Sequence, residues 1–105
     1  AVLRAFGEDL SIEDVAMPEC PADGVVLRVL ACGVCRSDWH GWRGEDSDVT
    51  LGHIGGHEYC GEVVEAGPEA TYAVGDRLIA PFILACGSCP ACRSGAVRYQ
   101  RNSGI

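Results

Sequence analysis

Five short runs rich in aliphatic and β-branched residues, VLRAF, LSIEDV, VVLRVLAC, EYCGEVVEAG and DRLIAPFIL, are separated by Gly, Pro and Asp along a chain of 105 residues. Runs of this length bounded by turn-forming residues are strand signals. Five of them in so short a chain leave room for little else, so the expected fold is mainly β, a barrel or sandwich around one modest core. Arg28 interrupts the apolar run VVLRVLA and EVVEAG alternates only loosely, so the pattern specifies strands better than it specifies their buried face. One helix is expected, a turn or two after Cys35, where RSDWHGW offers Ser37 and Asp38 as caps and glycines soon follow. The segment GEDSD, residues 44–48, reads as a solvated charged loop.

Composition narrows the function. Apolar residues at 48% and charged residues at 22% are near the globular average. No apolar run reaches the roughly 18 residues of a membrane span, so no membrane partner is expected. The start AVLRAFGEDLSIEDV lacks the apolar run and cleavage site of a secretory leader, which makes the cytoplasm the expected location. The formal net charge is −7, and the eight basic residues, all arginine, form no cluster. A nucleic-acid partner is therefore not expected, because phosphate backbones are held by basic faces.

Seven cysteines are many, and an odd number, for a chain without secretion signals. Metal binding or catalysis is the better expectation than a disulfide framework. Cys86, Cys89 and Cys92 recur every three residues in CGSCPAC, a spacing that lets three thiolates wrap one tetrahedral ion while Gly87 and Pro90 form the turns. The stretch ACGVCRSDWHGWRG, residues 31–44, puts Cys32 and Cys35 three apart and is compatible with a redox pair, a metal cradle or a buried turn. In GGHEYCGEV, His57 and Glu58 follow two glycines and lead into a strand, and on their own they fit an ordinary hydrogen-bonded pair as well as a metal site.

Taken together and in this order, CGVCRSDWH, GHE, VGDRL and CGSCPAC resemble the GroES-like catalytic domain of zinc-dependent medium-chain alcohol dehydrogenases, over about Ala1 to Gly95. The resemblance implies a partly open β-barrel with a short helix after Cys35 and a zinc-binding lobe near 86–100. It implies that Cys35 and His57 ligate the catalytic zinc, and that Glu58 sits beside the metal and exchanges with water or ligand. Asp38 would orient the ligating histidine, Ser37 would touch the substrate alcohol, His40 would pass its proton to solvent, and Arg36 would contact the cofactor pyrophosphate. Cys86, Cys89 and Cys92 would hold a structural zinc. The implied activity is oxidation of an alcohol to an aldehyde or ketone, with hydride transferred to NAD or NADP, in an enzyme expected to be a homo-oligomer. On this reading Cys32 is a small buried hydrophobe, and Trp39 and Trp42 suggest a bulky aromatic wall on one side of the substrate pocket.

Three features depart from the family pattern. Gln100 stands where the fourth structural thiolate would fall, and an amide oxygen is a poor replacement for thiolate. The segment AVRYQRNSGI resembles the family little. No third catalytic ligand and no GxGxxG turn occurs, so the chain is expected to be a fragment without its Rossmann domain and inactive alone. A self-standing zinc module without catalysis is the alternative expectation. A thiol redox protein is disfavoured because no βαβ alternation surrounds Cys32 and Cys35.

Overall fold

The computed structural model describes residues 1–80 and 85–95. The end of the fifth apolar run (residues 81–84) and Gln100 lie outside the described residues. Three strands, β1 (Val25–Gly33), β2 (Glu58–Ala66) and β3 (Arg77–Ile79), form one antiparallel sheet in the order β1-β2-β3. A helix, α1 (Arg36–Trp42), follows β1 at once, and a single turn, α2 (Pro90–Arg93), lies in the cysteine-rich segment. The sheet is open among the described residues, and the fold is mainly strand, as the apolar runs implied.

The first two runs depart from expectation. VLRAF and LSIEDV are not strands but touch through one bridge, Val2 with Ser11. Apart from half-buried Ser11 every residue of LSIEDV is exposed, its apolar Leu10, Ile12 and Val15 included, and Arg4 is tied to Glu13 at 2.6 Å instead of a ladder continuing. The segment works as a strap. Leu3 N–H donates to the His53 carbonyl and Gly52 N–H to the Leu3 carbonyl, while Gly7 N–H donates to the Trp42 carbonyl. One strap thus holds both the loop before His57 and the end of α1.

The core is small. Among the described residues, the buried apolar side chains are Val2, Leu3, Val26 and Val63. Strand β1 enters it only at its start; beyond Leu27 every residue is exposed. Arg28 meets this exposed course with an ion pair to Glu62 at 2.8 Å across the sheet. Cys32 lies in the same half of β1 and is exposed, contrary to its expected burial, because that half has left the core and pairs edgewise with Tyr59.

Register places the site. Bulges between Val26 and Leu27 and between Val29 and Ala31 shift the ladder, which ends with Gly33 opposite Glu58. The last residue of β1 therefore faces the first residue of β2. Two steps past that end stands Cys35, and one step before β2 stands His57.

Candidate metal centre

Helix α1 starts on a thiol. Cys35 is in an extended conformation and caps the helix, with the Ser37 N–H donating to its Sγ at 3.3 Å. Asp38, three residues on, accepts the Cys35 N–H on Oδ2 at 2.9 Å, so cap and carboxylate satisfy each other's free groups. Ser37 and Asp38 are thus not the cap itself; the cap is the thiol, and Asp38 answers it. Gly41 lies within the helix, buried, and Gly44 at φ +76 turns the chain after Arg43 closes it.

The same Asp38 turns its other oxygen to His57, with Nδ1 and Oδ1 at 3.2 Å. Burial pushes the Asp38 carboxyl up, but the Cys35 N–H and His57 outweigh it and hold it below its usual value. An ionised Asp38 accepts the Nδ1 proton and leaves Nε2 as the histidine's donor atom. His57 Nε2 lies 3.3 Å from Cys35 Sγ and 3.9 Å from Glu58 Oε1. Cys35, His57 and Glu58 offer donor atoms that all lie within 4.8 Å of one another. Ligands about 2.3 Å (sulfur) and about 2.0 Å (nitrogen) from a tetrahedral zinc would sit roughly 3.5 Å apart, so Cys35 and His57 stand at a spacing that suits the ion, while the Glu58 carboxylate would have to close in slightly to join them. Ser37 Oγ stands 2.8 Å from the Cys35 sulfur and 3.4 Å from His57 Nε2, at the mouth of this cluster.

A second donor set is local. Cys86, Cys89 and Cys92 place their sulfurs within 4.8 Å of one another, with Cys86 and Cys92 at 3.9 Å, against roughly 3.8 Å between thiolates on one tetrahedral zinc. Backbone N–H groups support the sulfurs, Cys89 N–H on Cys86 at 3.3 Å and Cys92 N–H on Cys89 at 3.4 Å. The hydrogen bond from the Ser88 hydroxyl, followed by those of the Cys89 and Ser88 N–H groups, lowers the Cys86 thiol to about 6. Partial burial, followed by the neighbouring thiols, pushes Cys92 up. Gln100, the candidate fourth position, is outside the described residues.

The geometry and the order of these segments match one pattern: the alcohol dehydrogenase GroES-like domain fits residues 21–105. The chain belongs to this family. It is 37% identical over 110 residues to an alcohol dehydrogenase of Geobacillus stearothermophilus, covering 99% of this chain and 33% of that protein. It is 36% identical over 104 residues to D-arabinose 1-dehydrogenase (NADP(+)) of Saccharolobus solfataricus, covering 97% of this chain and 30% of that protein. Among solved structures, the cobalt- and zinc-bound thermostable alcohol dehydrogenase of Pyrobaculum aerophilum superposes with a TM-score of 0.85 at 31% identity, over 99% of this chain and 32% of that one. The chain therefore spans about a third of the length of these relatives.

Within this GroES-like domain, the structure brings together Cys35, Ser37, Asp38, His57 and Glu58. His40 and Arg36 are on the same helix but outside the donor cluster. Arg36 lays its guanidinium over the Trp39 ring at 4.0 Å, and Arg43 approaches that ring at 4.8 Å. Trp42 anchors the helix, its indole N–H donating to the Glu8 carbonyl at 2.6 Å. Cys32 bonds the Gly33 carbonyl at 3.4 Å, while Cys35 is engaged by Ser37 and His57. The sequence reading passed over Glu45, which holds His40 Nδ1 at 2.6 Å. An acidic residue just past the end of a histidine-bearing helix is the signal that could have found it.

Proposed function

We propose that this GroES-like domain is the substrate-side, zinc-binding part of an NAD(P)-linked alcohol dehydrogenase, which oxidises an alcohol to an aldehyde or ketone. The observation that carries the reading is the donor cluster of Cys35, His57 and Glu58 with a hydroxyl, Ser37 Oγ, 2.8 Å from the ligating sulfur. When bound, zinc would polarise the alcohol oxygen and the nicotinamide would accept hydride. The chain's own residues do the rest. Cys35 and His57 hold the ion, with Glu58 as a third donor that water or substrate can displace. Asp38 keeps His57 in the tautomer that ligates. Ser37 takes the proton of the substrate hydroxyl, and His40, farther out on the same helix, is the group that discharges it to solvent. Arg36 receives the cofactor pyrophosphate. Cys86, Cys89 and Cys92 hold a second, structural ion.

The deciding experiment compares metal content and turnover. In the complete enzyme, Ser37→Ala is expected to slow hydride transfer while zinc content stays unchanged, because the hydroxyl acts on the proton and not on the metal. Loss of zinc in that variant would overturn the role of Ser37. Failure of the complete enzyme to oxidise any alcohol with either nicotinamide cofactor would overturn the reading as a whole.

A further inference from the structure

The loop after α1 holds a carboxylate that has no part in the reaction as proposed. Glu45 Oε2 lies 2.6 Å from His40 Nδ1, and Glu45 Oε1 lies 2.9 Å from Arg43 Nε. The Glu45 N–H donates to the His40 carbonyl at 3.0 Å, so backbone and side chain both return to the same histidine. This carboxylate is exposed, and it is placed by the chain and by an arginine. The His40 hydrogen bond, with Arg43 and Arg36 nearby, holds its carboxyl below the usual range. An ionised carboxylate can only accept, so the proton on the imidazole must be at Nδ1, which leaves Nε2 as the acceptor of the neutral ring. Among the described residues no hydrogen bond engages that Nε2.

We propose that Glu45 is a positioning residue, which locks His40 in the Nδ1–H tautomer so that Nε2 presents its lone pair as a base. The helix then carries the same device at both ends. Asp38 in the first turn fixes the tautomer of His57 for a metal, and Glu45 past the last turn fixes that of His40 for a proton. Ser37 and His40 are three residues apart on one helix face. The use of the lone pair rests on the function proposed above: Ser37 takes the substrate's proton, and its own hydroxyl proton travels through a bridging hydroxyl or water to Nε2, since Ser37 Oγ itself contacts Cys35 Sγ and His57 Nε2. The imidazolium, its Nδ1–H still on Glu45, then releases the Nε2 proton to solvent and regains the starting tautomer. Among the described residues, Glu45 faces His40, and Arg43 and Arg36 are the cations near that carboxylate. The strap packed against α1 brings Glu8, whose carbonyl is occupied by Trp42.

Ring-nitrogen NMR shifts of the histidines in the 15N-labelled chain test the tautomer directly. The unaltered chain is expected to show His40 with its proton on Nδ1. In Glu45→Ala, that tautomer should give way to Nε2–H, while His57, held by Asp38, keeps its own signals as the check on folding. A His40 that keeps its Nδ1–H tautomer in Glu45→Ala overturns the proposal. Should that variant fail to fold, the unaltered chain decides: an Nε2–H tautomer there overturns it equally, and an Nδ1–H tautomer supports it. In the complete enzyme, Glu45→Ala is expected to lower kcat roughly tenfold with KM little changed, as loss of an outer partner of a functional histidine does. A changed tautomer with unaltered kcat would support the positioning and overturn the proton path through His40.

Discussion

The two sulfur-bearing clusters solve the same problem in opposite ways. Cys86, Cys89 and Cys92 come from seven consecutive residues, and their supporting hydrogen bonds come from their own turn. Cys35 and His57 are 22 residues apart and meet only because an antiparallel ladder ends with Gly33 opposite Glu58. The local cluster is all sulfur. The assembled one mixes sulfur, imidazole and carboxylate, with a hydroxyl beside it and a dedicated carboxylate behind its histidine. A site made by one turn can be closed around an ion, whereas a site made by two segments can be left open on the side where neither segment runs. A position left open is what a catalytic metal site keeps and a structural one lacks.

The largest expected effect breaks the pair apart. His57→Ala should weaken zinc at the assembled centre more than about 100-fold, beyond what loss of an outer partner costs, while Cys86, Cys89 and Cys92 keep their ion. Competition with a chromophoric chelator reads both sites, and loss of zinc from both would show that the centres are not independent. Next comes Asp38→Asn, which leaves every ligand in place but withdraws the carboxylate from His57. It should cost the assembled centre about 10-fold to 100-fold in zinc affinity and the local centre nothing, since the latter has no such partner.

A glycine pair sharpens the contrast in stability. Gly56, at φ +106 just before His57, would place an added Cβ 2.8 Å from Cys32 Sγ, whereas Gly87, at φ +75 in the cysteine lobe, would meet nothing within 4 Å. Both Ala variants incur the left-handed cost of about 1–2 kcal/mol, and only Gly56→Ala must also push the exposed Cys32 thiol aside, a small further cost. Urea unfolding should therefore place Gly56→Ala lower, with weaker zinc at the assembled centre alone.

Acid should have the smallest effect. The Arg4 hydrogen bond holds Glu13 down to about 2 from 4.5. A depressed carboxyl stabilises above its unfolded value and loses that contribution as pH falls from about 4.5 to about 2. The pair is exposed, so the strap should loosen only slightly over this window. Arg4→Ala should flatten the small acid dependence of Tm in the metal-free chain.

How much was legible follows from the range of the interactions. The third, fourth and fifth runs announced strands because their apolar residues are continuous and bounded by turn formers, and these are where β1, β2 and β3 form. The first two runs carried the same local signal and became a strap, because the single bridge at Val2 and Ser11 has no partner strand beyond it among the described residues. That the thiols of CGSCPAC would come together was readable since all three lie within one short segment. Cys32 was misplaced because burial of a strand residue depends on what the sheet covers, which β1 decides by leaving the core after Leu27. Glu45 was passed over as part of a solvated loop because its partner, His40, is reached only when α1 ends and the chain turns back at Gly44.

What the sequence determined by itself is therefore chemistry at short range: thiols close in sequence, a short helix after Cys35, strands where aliphatic residues run together, and a family likeness carried by four motifs in order. What tertiary structure decided is which of these groups meet. The thiol of Cys35 serves at once as helix cap and as donor beside His57. One carboxylate, Asp38, closes the cap with one oxygen and orients the histidine with the other. The physical reason is that spacing along a chain constrains distance only over a few residues. Over 22 residues it is the hydrogen-bond register of the sheet, shifted by two bulges, that sets two side chains 3.3 Å apart.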